Sequence, residues 1–207
     1  MIAKRLETLI ANEFRNTDIA RRTDAEMVQR FQRLRGFGML PKSRGKNAES
    51  LSNREIVAGI LSIVTVKPGF AGVAAKTLIN LRPVGDTQAS FRNAKTFGEA
   101  LAAILGNSDT LEDLVEVRAS DSEIFKNGHG RGIIVYRDGE EEKTAYYVGQ
   151  TALTLMQPGA EKTFDPRSLI STMISEFLFL PRFFRKIANE LQREKMYSAS
   201  LPSRAIS

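Results

Sequence analysis

Cysteine and tryptophan are absent from the 207 residues, and histidine occurs once, at position 129. Without cysteine the chain forms no disulfide and holds no metal through thiolates, so packing alone must stabilise the fold. His129 lies in a glycine-rich segment, residues 127–132, that could be catalytic or could grip a phosphate. A flexible hairpin entry is favoured, because a lone base with no nucleophile at motif spacing cannot assemble a triad. The sequence therefore predicts no enzyme, no metal site and no cofactor.

Long apolar runs are also missing. No window approaches the roughly 18 apolar residues of a membrane span, and no N-terminal stretch has the apolar core of a signal peptide. The most hydrophobic run, residues 177–180, is short and is followed by Pro181. These absences predict a cytoplasmic protein with no membrane partner. A hydrophobic content of 42% is nevertheless enough to bury a core.

Positive charge is concentrated near the N-terminus. The chain carries 30 Lys and Arg against 24 Asp and Glu, a net charge of +6 with a pI near 9.7. Residues 1–46 contain eleven cations and five acids, so this segment has a balance equal to that of the whole chain. Such a distribution suits a polyanionic partner.

The stretch from Thr17 to Val64 has the pattern of a helix-turn-helix followed by a basic wing. Residues 24–35 place Met27, Phe31 and Leu34 at the i, i+4, i+7 spacing of a buried stripe. A Thr-Asp pair can cap this helix, and the Gly-Phe-Gly at 36–38 ends it. The pattern predicts a short recognition helix.

The side of that helix opposite the stripe carries Gln29, Gln32 and Arg33. These residues suit base reading in the major groove, because Arg pairs bidentately with guanine and Gln with adenine. An ordinary solvated helix face is the alternative. We expect these three residues to contact DNA bases.

The segment after the helix is the predicted wing. Residues 42–47 contain three cations and one glycine with no apolar side chain, so this loop can reach a phosphate backbone. The predicted phosphate contacts of the whole segment are Arg21, Arg22, Arg30, Lys42, Arg44 and Lys46.

A family resemblance rests on Leu34-Arg35, Gly38, Leu40-Pro41-Lys42 and Arg44-Gly45. These elements are similar to those of winged helix-turn-helix domains of the MerR type. They also resemble a class of bacterial and phage DNA-binding regulators. The resemblance implies a transcriptional regulator that binds double-stranded DNA sequence-specifically.

The rest of the chain predicts an α+β fold that is mainly helical. Helical spacing indicates further helices at residues 1–14, 53–64, 70–81 and 96–105. β-Branched segments predict a small three-stranded antiparallel sheet, with an Asp-Gly hairpin at 138–139. The predicted regions are a DNA-binding domain at 1–106, a sheet region at 107–160, and a helical element with a frayed tail at 161–207.

The C-terminal element is predicted to be an amphipathic helix that begins at Asp165-Pro166, is kinked or split at Pro181 and resumes as far as Leu191. It carries Phe177, Phe183 and Phe184, more large apolar groups than a small sheet is expected to cover. These residues are therefore predicted to form a homodimer interface, or to bind a protein partner. A dimer would double the DNA contact across a palindrome.

Two other classes of function remain open. The same domain could recognise DNA in a phage packaging protein that resembles a small terminase. Alternatively, the chain could be a protein-binding inhibitor without DNA contact, if its wing cations are paired with acids.

Overall fold

The computed structural model describes residues 1–14, 23–42, 48–85, 90–123, 129–149 and 176–200. This part of the chain contains seven α-helices and an antiparallel sheet of five strands, so the predicted α+β class is confirmed. The helices are α1 Ala3–Phe14, α2 Asp24–Gly36, α3 Asn53–Leu61, α4 Ala71–Ile79, α5 Phe97–Gly106, α6 Ser108–Glu112 and α7 Pro181–Ser200. The strands are β1 Arg82–Pro83, β2 Leu114–Glu123, β3 His129–Asp138, β4 Glu141–Val148 and β5 Phe177–Phe179.

Side-chain caps determine where several helices begin. Ser52 caps α3 in a capping box, in which its hydroxyl accepts from the Glu55 N–H and the Glu55 carboxylate accepts from the Ser52 N–H at 2.7 Å. The Thr96 hydroxyl accepts from the Glu99 N–H at 3.1 Å at the start of α5. Each cap satisfies a donor that the first helical turn leaves without an intrahelical partner.

The sheet has the strand order β1-β4-β3-β2-β5, so the prediction of three strands is wrong in number. The three central strands are the predicted ones, and Gly139, with φ of +66°, opens the tight turn between β3 and β4. The two edge strands are only two and three residues long. Strands this short contain no alternation from which a sequence pattern could identify them.

The C-terminal element also differs from the prediction. Residues 177–179 form β5 beside β2, with Val117 opposite Phe179, instead of continuing a helix. Pro181 starts α7, so the element is split at this residue and not kinked. Proline suits the first helical turn, which needs no N–H there, and it favours an extended residue before it. The predicted helix start at residues 165–166 lies outside the described residues.

The core lies between the inner face of the sheet and the helices, and it includes side chains from all three predicted regions. Phe183 and Phe184 of α7 are buried in it. Phe177 is half-buried, with its ring centroid 5.2 Å from that of Phe14 in α1. The assignment of Phe183 and Phe184 to an oligomer interface is therefore wrong, because Phe14 of α1 packs against Phe183 and Phe179 of β5 packs against both rings. The homodimer itself stays a prediction.

The N-terminal helices pack on one another, with α2 against α1 and α4 and with α3 against α1, α4 and α5. A winged helix-turn-helix is not confirmed. Residues 15–22, which would form the turn before α2, lie outside the described residues, as do residues 43–47 of the predicted wing.

Candidate nucleic-acid interface

The helix α2 begins at a capping box. Both of its ends lie within one residue of the predicted bounds, 24–35. The Thr23 hydroxyl accepts from the Glu26 N–H at 3.2 Å, and the Glu26 carboxylate accepts from the Thr23 N–H at 3.0 Å. Asp24 and Glu26 place negative charge near the positive end of the helix dipole, and Arg33 and Arg35 lie in the last turn. These features stabilise a helix of 13 residues.

The buried side of α2 is the predicted stripe. Met27, Phe31 and Leu34 are all fully buried. They pack in the space between α1, α4 and the 3₁₀ turn Pro68–Phe70. Gly59 of α3 makes room for this packing, because a Cβ there would lie 3.3 Å from Phe31 Cζ and 2.7 Å from Leu6 Cδ2. Packing on this side fixes the orientation of α2, so its opposite side faces away from the core.

The free side of α2 presents the residues that were predicted to contact bases. At about 100° per residue, Ala25, Gln29, Gln32 and Gly36 fall within about 60° of one another, opposite the stripe. Arg33 lies roughly 40° beyond them. Gln29, Gln32 and Arg33 are exposed, and Arg33 forms no ion pair with any residue that the structure describes. One helix face therefore brings together two amides and a guanidinium.

Arg30 is a correction to the predicted phosphate contacts. Its side chain is 0% exposed, and its Nη atoms donate to the carbonyl oxygens of Ser62 at 2.7 Å, Thr65 at 2.9 Å and Val66 at 3.0 Å. These carbonyls follow the last residue of α3, where the chain turns towards α4. Arg30 therefore ties α2 to that turn and cannot reach a phosphate from the folded protein.

The other predicted phosphate contacts divide into two groups. Lys42 is exposed at the end of the segment that follows α2. The remaining four, Arg21, Arg22, Arg44 and Lys46, lie outside the described residues.

Ion pairs reduce the charge that α1 contributes to this end of the molecule. Lys4 Nζ lies 2.5 Å from the Glu7 carboxylate. Arg5 pairs with Glu190 and lies 3.5 Å from Glu194, both on α7. Fewer of the eleven cations of residues 1–46 are therefore free to meet a partner than their number suggests, since Lys4 and Arg5 are in ion pairs and Arg30 is buried.

A cleft runs along one side of the exposed face, between α2 and the start of α1. Its volume is about 410 Å³, and its walls include Val28, Gln32 and Arg35 of α2 together with Ile2 and Pro41. Val28 is 37% exposed and Ile2 36% exposed. Of the residues predicted to contact bases, Gln32 lines this cleft and Gln29 and Arg33 do not.

The sequence did not single out Phe37, which lies directly after α2. Its ring is 44% exposed, and a Cβ on Gly72 would lie 2.4 Å from Phe37 Cδ2. Glycine at position 72 therefore lets this ring rest on α4. No pattern in the sequence connects these two residues, which are brought together only by the packing of α2 on α4.

No similar protein was found. No family model matches the chain, and neither the characterised proteins nor the solved structures include one that resembles it. A role for α2 therefore has to be inferred from its exposed side chains.

Other kinds of site have little support in the described part of the chain. No group of three or more histidines, aspartates and glutamates there could hold a metal ion. Among the same residues, no helix is long and apolar enough to cross a membrane. The His129 side chain lies outside the description, and only its backbone, paired with Glu123 across β2 and β3, is placed.

Proposed function

We propose that the chain binds double-stranded DNA sequence-specifically, with α2 in the major groove, and that it regulates transcription of bacterial or phage genes. The observation that carries this proposal is the exposed face of α2, where Gln29, Gln32 and Arg33 stand opposite a fully buried stripe. A single α-helix fits the major groove, which is about 12 Å wide.

Each of the three side chains has a base that it suits. Gln29 and Gln32 can bond the N6 and N7 edge of adenine, and Arg33 can bond O6 and N7 of guanine. A good bidentate pair contributes roughly 1–3 kcal/mol of discrimination against a wrong base. Three such contacts would be enough to distinguish a preferred site from random sequence.

Phosphate contacts would supply most of the affinity and fix the position of α2. The candidates are Lys42 and, in the segments that flank α2, Arg21, Arg22, Arg44 and Lys46. If about five phosphates are contacted, the slope of log K against log salt should be about −4 to −5. Binding as a two-fold dimer across a palindrome would double the contact surface.

The experiment measures how DNA binding depends on salt and how it changes when the positive charge of Arg33 is removed. A labelled preferred duplex, selected from a random pool, is titrated with the wild type, Arg33→Ala and the control Lys143→Ala by fluorescence anisotropy. Lys143 is an exposed cation of β4, paired with Asp138 near the hairpin turn. Both variants remove one positive charge, so a difference between them reports position and not net charge.

We expect Arg33→Ala to weaken the preferred duplex by roughly 1–3 kcal/mol and to lose much of the preference over random duplex. The control Lys143→Ala should bind as the wild type does. Affinity that does not change with salt, or equal losses for the two variants, would refute the proposal.

A further inference from the structure

A second group of cations surrounds a cavity that α2 does not line. The cavity has a volume of about 220 Å³ and lies between the end of α4, β1, the start of α5 and the first turn of α3. Arg54 of α3, Arg82 of β1 and Lys95, just before α5, all line it and all are exposed. None of the three forms an ion pair with a carboxylate in the described part of the chain.

Close backbone packing brings these elements together. A Cβ on Gly98 would lie 2.9 Å from the Ile79 carbonyl oxygen, so glycine allows α5 to start directly against the end of α4. The Phe97 N–H donates to the Leu81 carbonyl at 3.0 Å, which attaches the same turn of α5 to the entry of β1. Arg82 Nη1 donates to the Lys95 carbonyl at 3.4 Å. The backbone positions of Arg82 and Lys95 relative to each other are therefore set by the fold.

The charge that lines this cavity is strongly one-sided. Among the described residues that line it, the only acid is Glu99, whose carboxylate accepts from the Lys95 backbone N–H at 2.8 Å. The positive end of the α5 dipole adds to the field of the three cations. Several exposed cations elsewhere, such as Arg92 and Lys186, have an acid partner. Three unpaired cations around one cavity repel one another, and a bound anion would remove that cost.

We propose that this cavity binds a phosphate group. Two guanidinium groups can each offer a pair of donors to phosphate oxygens, and Lys95 adds a third positive charge. A volume of about 220 Å³ is smaller than the roughly 300–1,000 Å³ of pockets that enclose a whole small molecule. The cavity is therefore large enough for a phosphate group but not for the rest of the molecule that carries it. That phosphate belongs either to a nucleic-acid backbone or to a small phosphorylated ligand, and the site does not depend on base reading by α2.

The test uses the full chain and inorganic phosphate as the probe. Phosphate is titrated at constant ionic strength, with chloride as the balancing anion, and binding is followed by calorimetry. The variants are Arg54→Gln, Arg82→Gln and Lys95→Gln. Their matched control is Lys67→Gln, which removes an exposed cation that does not line the cavity. Because all four side chains are exposed, the variants should keep the circular dichroism spectrum and unfolding temperature of the wild type.

We expect saturable binding of phosphate that each cavity variant weakens about tenfold or more, while Lys67→Gln leaves it unchanged. A parallel titration with duplex DNA distinguishes the two sources. If the cavity variants also weaken duplex binding, the phosphate belongs to the nucleic-acid backbone, and if duplex binding is unchanged it belongs to a small ligand. No saturable phosphate binding by the wild type, or an equal loss in Lys67→Gln, overturns the proposal. Neither of these two overturning results bears on the Arg33→Ala test of base reading by α2. The phosphate-binding proposal and the DNA-binding proposal can therefore fail separately.

Discussion

Replacing Arg30 with alanine should destabilise the protein far more than replacing Arg33, although the two arginines are three residues apart on one helix. Arg30 is 0% exposed and donates to three main-chain carbonyls, whereas Arg33 is exposed. The alanine variant leaves the carbonyls of Ser62, Thr65 and Val66 without these donors. It also leaves a void where the guanidinium and its stem were packed.

The size of the effect follows from those contacts. A hydrogen bond to a charged group contributes about 1.5–3 kcal/mol, so three set an upper limit of roughly 5–9 kcal/mol. Water can replace part of this, since Val66 is 67% exposed and its carbonyl lies near the surface. Removing the guanidinium also ends the cost of burying its charge. We therefore expect a loss of about 3–5 kcal/mol. For a chain of this size, that loss lowers the unfolding temperature by roughly 6–20 °C.

The assay is urea unfolding followed by circular dichroism, with wild type, Arg30→Ala, Arg30→Lys and Arg33→Ala compared under one condition. Arg33→Ala should change the free energy of unfolding by no more than about 0.5 kcal/mol. Arg30→Lys should fall between the two alanine variants, because an ammonium keeps the charge but cannot span three carbonyls. The reasoning is refuted if Arg30→Ala is as stable as Arg33→Ala. Uniformly weaker duplex binding by that stable variant would then restore Arg30 as a phosphate contact.

Further substitutions test the packing of the core. Tyr147→Phe leaves the buried Phe91 N–H without the hydroxyl that accepts it at 3.0 Å, and urea unfolding should show a loss of about 1–3 kcal/mol. Because burial raises the pKa of Tyr147 above its usual range, the wild type should also lose more stability than this variant as the pH rises above 10.0. Gly132→Ala places a Cβ 2.7 Å from a buried phenylalanine ring, and thermal unfolding should show a loss of roughly 1–3 kcal/mol. Phe184→Glu should unfold the chain, whereas Leu178→Glu, at a 47% exposed position, should stay folded; a folded monomer from Phe184→Glu would restore the interface.

Local signals in the sequence were enough to place α2 and its two faces. The capping residues mark where the helix starts, and the spacing of Met27, Phe31 and Leu34 marks the buried side. Both signals act within one or two turns, so they can be recognised without knowing the rest of the fold.

The spacing of the apolar residues in α2 did not predict that Arg30 is buried. It lies beside the apolar stripe, and an arginine there is expected to extend into solvent. Its acceptors are main-chain carbonyls 32 to 36 residues along the chain, and a carbonyl is present at every residue whatever its type. No sequence pattern can therefore indicate this contact.

The C-terminal rings were misassigned for a related reason. A short apolar run such as residues 177–179 fits a strand as well as a helix. The apparent surplus of large apolar side chains was judged against the sheet alone. In the structure Phe14 of α1 packs against Phe177 and Phe183, a contact between the two ends of the described chain. Ring contacts between residues so distant in sequence depend on the tertiary fold.

The cavity around Arg54, Arg82 and Lys95 could not be predicted, because its residues come from separate parts of the chain. In the sequence they are isolated cations spread over residues 54–95, unlike the denser basic run at 42–47. Their convergence depends on how α5 starts against α4, which only the structure shows.

Selection of bound duplexes from a random pool, with the wild type and with a Gln29→Ala/Gln32→Ala variant, tests most directly whether α2 reads DNA. Both substitutions are at exposed positions on a helix, where alanine is the most favourable residue, so the variant should fold normally. The wild type should enrich a defined motif that contains adenines. The variant should still bind duplex DNA but lose the preference at those positions. If the wild type enriches no motif, or if the variant enriches the same one, α2 does not read the DNA sequence.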